Sequence, residues 1–246
     1  MATSVVQMGM DEAARTSRIL ARVTSDGTVE PTVGRVCHVG VELTATTGAA
    51  ITLMAGDEPR GSLWSTDAVS AAIDELEFTL GEGPCVDAHR DGEPVLEPDL
   101  EHQLGSRWPA FSPAALRMGA RAVFGFPINV GVTRLGSLNL YRDSPGPLSE
   151  EQHADACVIA DVSARVLVGL EGRPIDPVLA DELRGGANLR LVVHQASGML
   201  SVQLGVSVEE ALARLRAHAF AHDQGLTEVA SRVVSRRLRF DESDVS

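Results

Sequence analysis

At 246 residues and 44% hydrophobic, the chain can bury one large core, or a medium core together with a small one. Its formal charge of −13 is unevenly spread: residues 1–185 carry 14 arginines against 27 acids and would be repelled by phosphates. Residues 186–240 carry seven arginines (Arg190, Arg214, Arg216, Arg232, Arg236, Arg237, Arg239) against four acids (Glu209, Glu210, Asp223, Glu228), a local balance of 7 − 4 = +3.

The first 20 residues lack a basic start followed by an apolar run and a small-residue cleavage site, and no 18 apolar residues follow one another, which predicts a cytoplasmic protein. Cys37, Cys85 and Cys157 are odd in number, widely spaced and without a CxxC pair, so they imply neither a disulfide framework nor a zinc site. All 21 basic residues are arginine, a bias that carries no functional weight.

In chain order, residues 11–22 and 34–47 read as helices, with Gly34, Gly40 and several threonines weakening the second. AAITLMAG reads as a strand, GDEP as a turn and RGSLWSTD as the returning strand of a hairpin. In DAVSAAIDELEFTL, Val69, Ile73, Leu76 and Leu80 recur at helical spacing. GEGPCVDAHRDGEPVLEPDL then reads as loop-rich, since its glycines and prolines limit regular structure. Residues 108–118 predict a short helix restrained by Pro109 and Pro113. Two strands, RAVFGFPI and RLGSLNLY, are joined by a turn around NVGVT, and SEEQHADACVIADVSARVLVGL forms a long helix. The expected class is α+β, an antiparallel sheet flanked by helices.

These residues carry a resemblance. GEGPCVDAHRDGEPVLEPD, RAVFGFPI and LGSLNLY together resemble the GAF domain family over residues 30–170, with its glycine-rich GEG turn, a G-x-P-V strand ending near an aspartate, an aromatic-proline strand and a G-x-L-x-L strand. The resemblance implies a sheet of about six antiparallel strands acting as a small-molecule or redox sensor, without naming the ligand or any cofactor. Cys85, Asp99, Trp108 and Phe111 are positional candidates for its pocket. Residues 1–29 form an N-terminal extension.

EGRPIDPVLADELRGGA, with two prolines and a Gly-Gly pair, marks a linker at residues 171–187. In the helix before it, Ala154, Val158, Val162, Val166 and Leu170 form a stripe, with Asp155, Asp161 and Arg165 off it. The stripe either covers the sheet or pairs with a second copy in a parallel homodimer.

Residues 188–240 read as a small all-α unit of three helices. The first puts Leu189, Val192, Val193, Ala196, Met199, Leu200 and Gln203 on one face and stops at Gly205. Ser207 is a candidate N-cap for the second, with Glu210 completing a capping box. Ala211, Leu212, Leu215 and Ala219 lie on the inner arc of that helix, while Phe220 and Arg216 share the opposite face. An exposed aromatic beside an arginine either packs on a neighbour or stacks an unpaired base while the guanidinium meets phosphate. His218 and His222 flank the core arc as ordinary core-edge histidines. The third helix buries Leu226, Val229, Ala230 and Val233, and spaces Arg232, Arg236 and Arg239 as one basic stripe. With Arg190, Arg214, Arg216, Phe220 and Arg237, that stripe is the candidate RNA-binding surface. DESDVS (residues 241–246) is an acidic tail.

QASGML, EEALARLRAHA and LTEVASRVV resemble the ANTAR domain, the RNA-binding module of bacterial transcription antiterminators. The carried-over positions are Ala196 and Gly198; Ala211, Leu215, Arg216 and Ala219; and Leu226, Val229, Ala230 and Val233. Ser197 stands where a lysine is common, removing a possible phosphate contact, and Leu212 where an aromatic is common. The resemblance implies binding to paired hairpins in a nascent leader transcript, usually as a dimer, so that a terminator does not form.

Two other readings stay open. Some GAF-like domains reduce free methionine sulfoxide through cysteines, and Cys85 is placed for that, although a thiol catalyst needs a lowered pKa and a resolving partner. Helices two and three could also form a DNA-binding helix-turn-helix, to which the Gln224-Gly225 join fits loosely. Hydrolase, phosphate-loop and dinucleotide motifs are absent from the sequence, and the expected role is regulatory rather than enzymatic.

Overall fold

The structure is a computed structural model that describes residues 2–24, 32–55, 58–102, 107–170, 192–222 and 224–240. The chain divides into two compact units, Met1–Ile175 and Asp176–Ser246. The proposed linker at 171–187, Arg190 and the acidic tail lie outside the described residues.

Five strands make one antiparallel sheet in the N-terminal unit: β1 (Gly48–Ala55), β2 (Glu58–Ser65), β3 (Val95–Glu97), β4 (Ala122–Val130) and β5 (Thr133–Arg142), in the order β2-β1-β5-β4-β3. The described residues thus supply five strands where about six were expected. The β4-β5 turn is tighter than NVGVT suggested, because pairing continues to Val130 opposite Thr133. The central strands β4 and β5 are buried on both faces, which is why they read as nearly continuous apolar runs.

Helices α1 (Ala2–Val23), α2 (Val33–Thr44) and α6 (Glu150–Leu170) form one layer group; α2 packs on β1, and α6 on β4, β5 and α2, with α1 against both helices. Thr32 caps α2 by accepting the Arg35 amide at 3.2 Å, and the helix stops at Ala45 rather than reaching residue 47. Val158, Val162 and Val166 of the α6 stripe are buried within this unit. Asp155, expected off the stripe, is also buried: it pairs with Arg15 and, at 2.8 Å, with Arg18 of α1. The sheet-covering reading of the stripe therefore accounts for these valines.

Helices α3 (Ala68–Leu80) and α4 (Pro84–Asp91) lie against the sheet, α3 on β1, β2 and β5 and α4 on β3, β4 and β5, and α5 (Phe111–Arg117) packs on α3. The loop-rich segment from Gly81 to Leu100 contains the expected G-x-P-V strand as β3, and a helix, α4, that was not expected. Proline at the first helical position, Asp87 in the first turn and left-handed Gly92 after the last are the start and stop signals of a helix. Helix α5 begins only at Phe111, where Glu82 Oε1 accepts the Ala110 and Phe111 amides at 2.8 and 2.7 Å. At Gly125 on β4, an added Cβ would lie 2.4 Å from the Pro84 carbonyl oxygen, so glycine is what lets α4 sit on the sheet.

The C-terminal unit holds α7 (residues 192–204), α8 (Val208–Ala221) and α9 (Leu226–Val234). Its core is Val193, Ala196 and Leu200 from α7, Ala211, Leu212, Leu215 and Ala219 from α8, and Leu226, Val229, Ala230 and Val233 from α9. Gly205, at φ 67°, ends α7. Ser207 Oγ accepts the Glu210 amide at 3.1 Å, but the reciprocal half of the expected capping box is replaced by a Glu210-Arg214 ion pair.

Candidate nucleic-acid interface and the buried polar cluster

Helix α9 ends at Val234, and the chain leaves it through Arg236 in the left-handed region at φ 59°. The Arg237 and Leu238 amides both bond back to the Arg232 carbonyl, at 2.7 and 3.0 Å. Phe240 is buried against His218, with ring centroids 4.8 Å apart, and its carbonyl accepts Gln203 Nε2 at 2.6 Å. His218 also stacks on His222 at 4.0 Å.

This exit revises the basic surface. A helical stripe through Arg232, Arg236 and Arg239 does not exist, because the helix has ended before Arg236. Arg232 Nη1 instead donates to Gln224 Oε1 at 2.8 Å. Arg214 is paired with Glu210, and Arg216 is half-buried, with its Nε and Nη2 shielded from solvent. Phe220 stands 54% exposed on α8, as expected. Arg236, Arg237 and Arg239 are all exposed, and no ion pair is recorded for them among the described residues. Arg236 and Arg239 border an open groove between α7 and the end of α9.

Of the ANTAR-like positions, Ala196, Ala211, Leu215, Ala219 and Ala230 are fully buried contact points. Gly198 is different, since it lines the groove. Ser197 is also buried, its hydroxyl bonding the Val193 carbonyl at 2.9 Å, so this position faces the core rather than a phosphate.

In the N-terminal unit, none of the four pocket candidates lines the cavity found beside Glu77 and Asn139. Trp108 and Phe111 meet edge-on at 5.8 Å in a packed cluster with Ile73, Leu100 and Val123. Trp108 Nε1 donates to Asp87 at 3.0 Å, a carboxylate also held by Arg90 and Arg107. Asp99 lies nearer the surface, bonded to His102 and facing Arg121; burial works against its ionisation, but the hydrogen bond from His102 and those charges hold its pKa below the usual range. Cys85 is fully buried, and burial together with neighbouring Glu77 pushes its thiol well above the ordinary value, opposite to what a thiol catalyst needs.

Around Cys85 lies a polar cluster that the sequence reading did not pick out. Thr52 Oγ1 donates to Asp74 at 2.6 Å; Asn139 Nδ2 reaches Asp74 Oδ1 at 2.7 Å and Glu77 Oε2 at 3.2 Å. Glu77 Oε1 accepts the Cys85 amide at 2.8 Å, capping the start of α4. Burial, reinforced by the charge of Asp74, pushes Glu77 up to about 8, so near neutrality it holds a proton. The nearby cavity, lined by Glu77, Asn139 and Tyr141, has a volume of about 10 Å³, the room of one water. The available signal was Asp74 and Glu77 on an otherwise apolar helical face, opposite an asparagine inside the LGSLNLY strand.

The GAF domain family matches residues 28–167, more than half of the chain, and the ANTAR domain family matches residues 181–234. The chain belongs to the GAF family and carries an ANTAR domain behind it. This GAF-ANTAR protein therefore has the architecture of a regulator with a sensor domain and an RNA-binding output. Its fold is similar to the GAF domain of a phosphoenolpyruvate-protein phosphotransferase from Coxiella burnetii, at 16% identity and a TM-score of 0.49, covering 64% of this chain and 95% of that one. The GAF domain of an Acinetobacter phosphoenolpyruvate-protein phosphotransferase is also similar, at 12% identity and a TM-score of 0.47, covering 64% and 93%. No curated protein matches the GAF-ANTAR chain. Among the described residues, no helix is long and apolar enough to cross a membrane, and no group of three or more His, Cys, Asp and Glu side chains is arranged to hold a metal ion.

Proposed function

We propose that this protein promotes transcription antitermination, binding hairpins in nascent transcripts through its ANTAR unit under the control of a signal received by its GAF unit. Such work takes place in the cytoplasm, on two copies of the chain. The observation that carries the reading is the exposed guanidinium set Arg236, Arg237 and Arg239 just past the end of α9, within residues 186–240, where arginines outnumber acids. Phe220 adds an exposed ring on which an unpaired base can stack. Pairing of two chains has to use a surface other than the buried α6 valines. The signal is a small molecule or a redox change, and a ligand would have to open the GAF interior, whose cavity near Glu77 is only about 10 Å³.

Arg236→Ala combined with Arg239→Ala tests the assignment. Binding of a two-hairpin leader RNA should weaken, and the slope of log affinity against log salt should shrink by roughly 1 to 2, about 0.7 to 0.9 per lost phosphate contact. A double variant that binds as tightly as wild type, with the same slope, places the RNA surface elsewhere.

A further inference from the structure

Gly198 sits in the middle of α7, and a Cβ added there would meet no atom within 4 Å. Glycine inside a helix is less favourable than alanine, and nothing in the packing offsets that cost: the position brings no two helices together. What the missing side chain does is leave the groove between α7 and the end of α9 open.

That groove has a volume of about 840 Å³. Its walls include Met199 and Val202 from α7 and Val234 from α9; Val202 is 86% exposed. Gln195 lies on the same border, together with Arg236 and Arg239, and among the described residues no carboxylate lines it. The left-handed backbone at Arg236, unusual for a side chain with a Cβ, turns the chain along the groove's edge. An apolar floor suits the face of a planar heterocycle, an amide suits a base edge, and two guanidinium groups suit flanking phosphates.

We propose that this groove is a binding site for unpaired nucleobases of an RNA loop, which stack on Met199 and Val202 while Arg236 and Arg239 hold the adjacent phosphates. The proposal rests on the RNA-binding reading above and locates the loop, as distinct from the stem, on this module. It makes Gly198 a specificity-determining position: the glycine keeps room for the base.

The test uses the full chain and two RNA probes, a stem closed by a randomised single-stranded loop and the same stem as an uninterrupted duplex. Gly198→Leu fills the groove without striking the fold, and Val202→Glu adds a negative charge to it; Val208→Glu, on an exposed α8 position outside the groove, is the charge control. Wild type should prefer the looped probe. Gly198→Leu should lose on the order of ten-fold in loop affinity, the scale of one base stack, while melting no lower than wild type. Val202→Glu should lose at least as much, and Val208→Glu much less. Loop affinity unchanged in both groove variants overturns the proposal and leaves RNA binding standing. A wild-type chain that binds neither probe sinks RNA binding and the groove together. If Val202→Glu converts a dimer to a monomer in sedimentation while Gly198→Leu binds looped RNA normally, the groove is a contact between copies and the proposal fails.

Discussion

The two units use charge in opposite ways. In the GAF unit, carboxylates turn inward and are consumed: Asp67 caps α3, Glu82 caps α5, and Asp87 gathers Arg90, Arg107 and Trp108. In the ANTAR unit, guanidinium groups past the end of α9 turn outward beside an open groove. A satisfied buried charge is committed to the fold, whereas an exposed one beside apolar walls is available to a partner. The contrast separates a unit whose carboxyl groups are spent on its own fold from one whose guanidinium groups stay exposed.

The strongest way to break the comparison is to disturb one unit and watch the other. Gly125→Val drives a side chain into the Pro84 carbonyl and should unseat α4 from β4. The expected loss is more than about 4 kcal/mol in urea unfolding of the GAF unit, with the circular-dichroism transition of the ANTAR unit retained. A variant as stable as wild type would show that the α4 contact is not a constraint.

Glu77→Gln sharpens the same contrast. The native group keeps its proton to about pH 8, while the unfolded chain releases it near the ordinary value of 4.5. For this group stability is greatest below about pH 4.5, falls as pH rises, and levels off above about pH 8. The glutamine variant should lose that decline, which totals on the order of a few kcal/mol between mildly acidic and mildly alkaline buffers. An identical pH profile would mean that Glu77 is ionised in the fold. The smallest effect belongs to Ser207→Ala, which removes the α8 cap and should cost the ANTAR unit about 1 kcal/mol in thermal unfolding.

Much of the scaffold was legible from periodicity. The β1-β2 and β4-β5 hairpins, α3, α6 and the inner faces of α8 and α9 follow patterns of two or 3.6 residues that burial enforces. What failed did so for identifiable reasons. Helix α4 hides in a glycine- and proline-rich segment, where proline at the first helical position is a start signal and not a breaker. The arginine stripe failed because helical spacing was extended past Val234, where Arg236 takes a backbone usually left to glycine. The Asp74-Glu77-Asn139 cluster joins α3 to β5, and no local pattern reveals a contact 65 residues apart. Arg216 matched its motif, yet its half-burial is a tertiary outcome.

A single amide at Asn139 serves two acids and the Thr52 hydroxyl. Loss of the asparagine would take a donor from both acids at once, leaving Asp74 with Thr52 and Glu77 with the Cys85 amide. Loss of either acid would still leave the amide its other partners. Drift at this spot is therefore easier at an acid than at the asparagine that joins them.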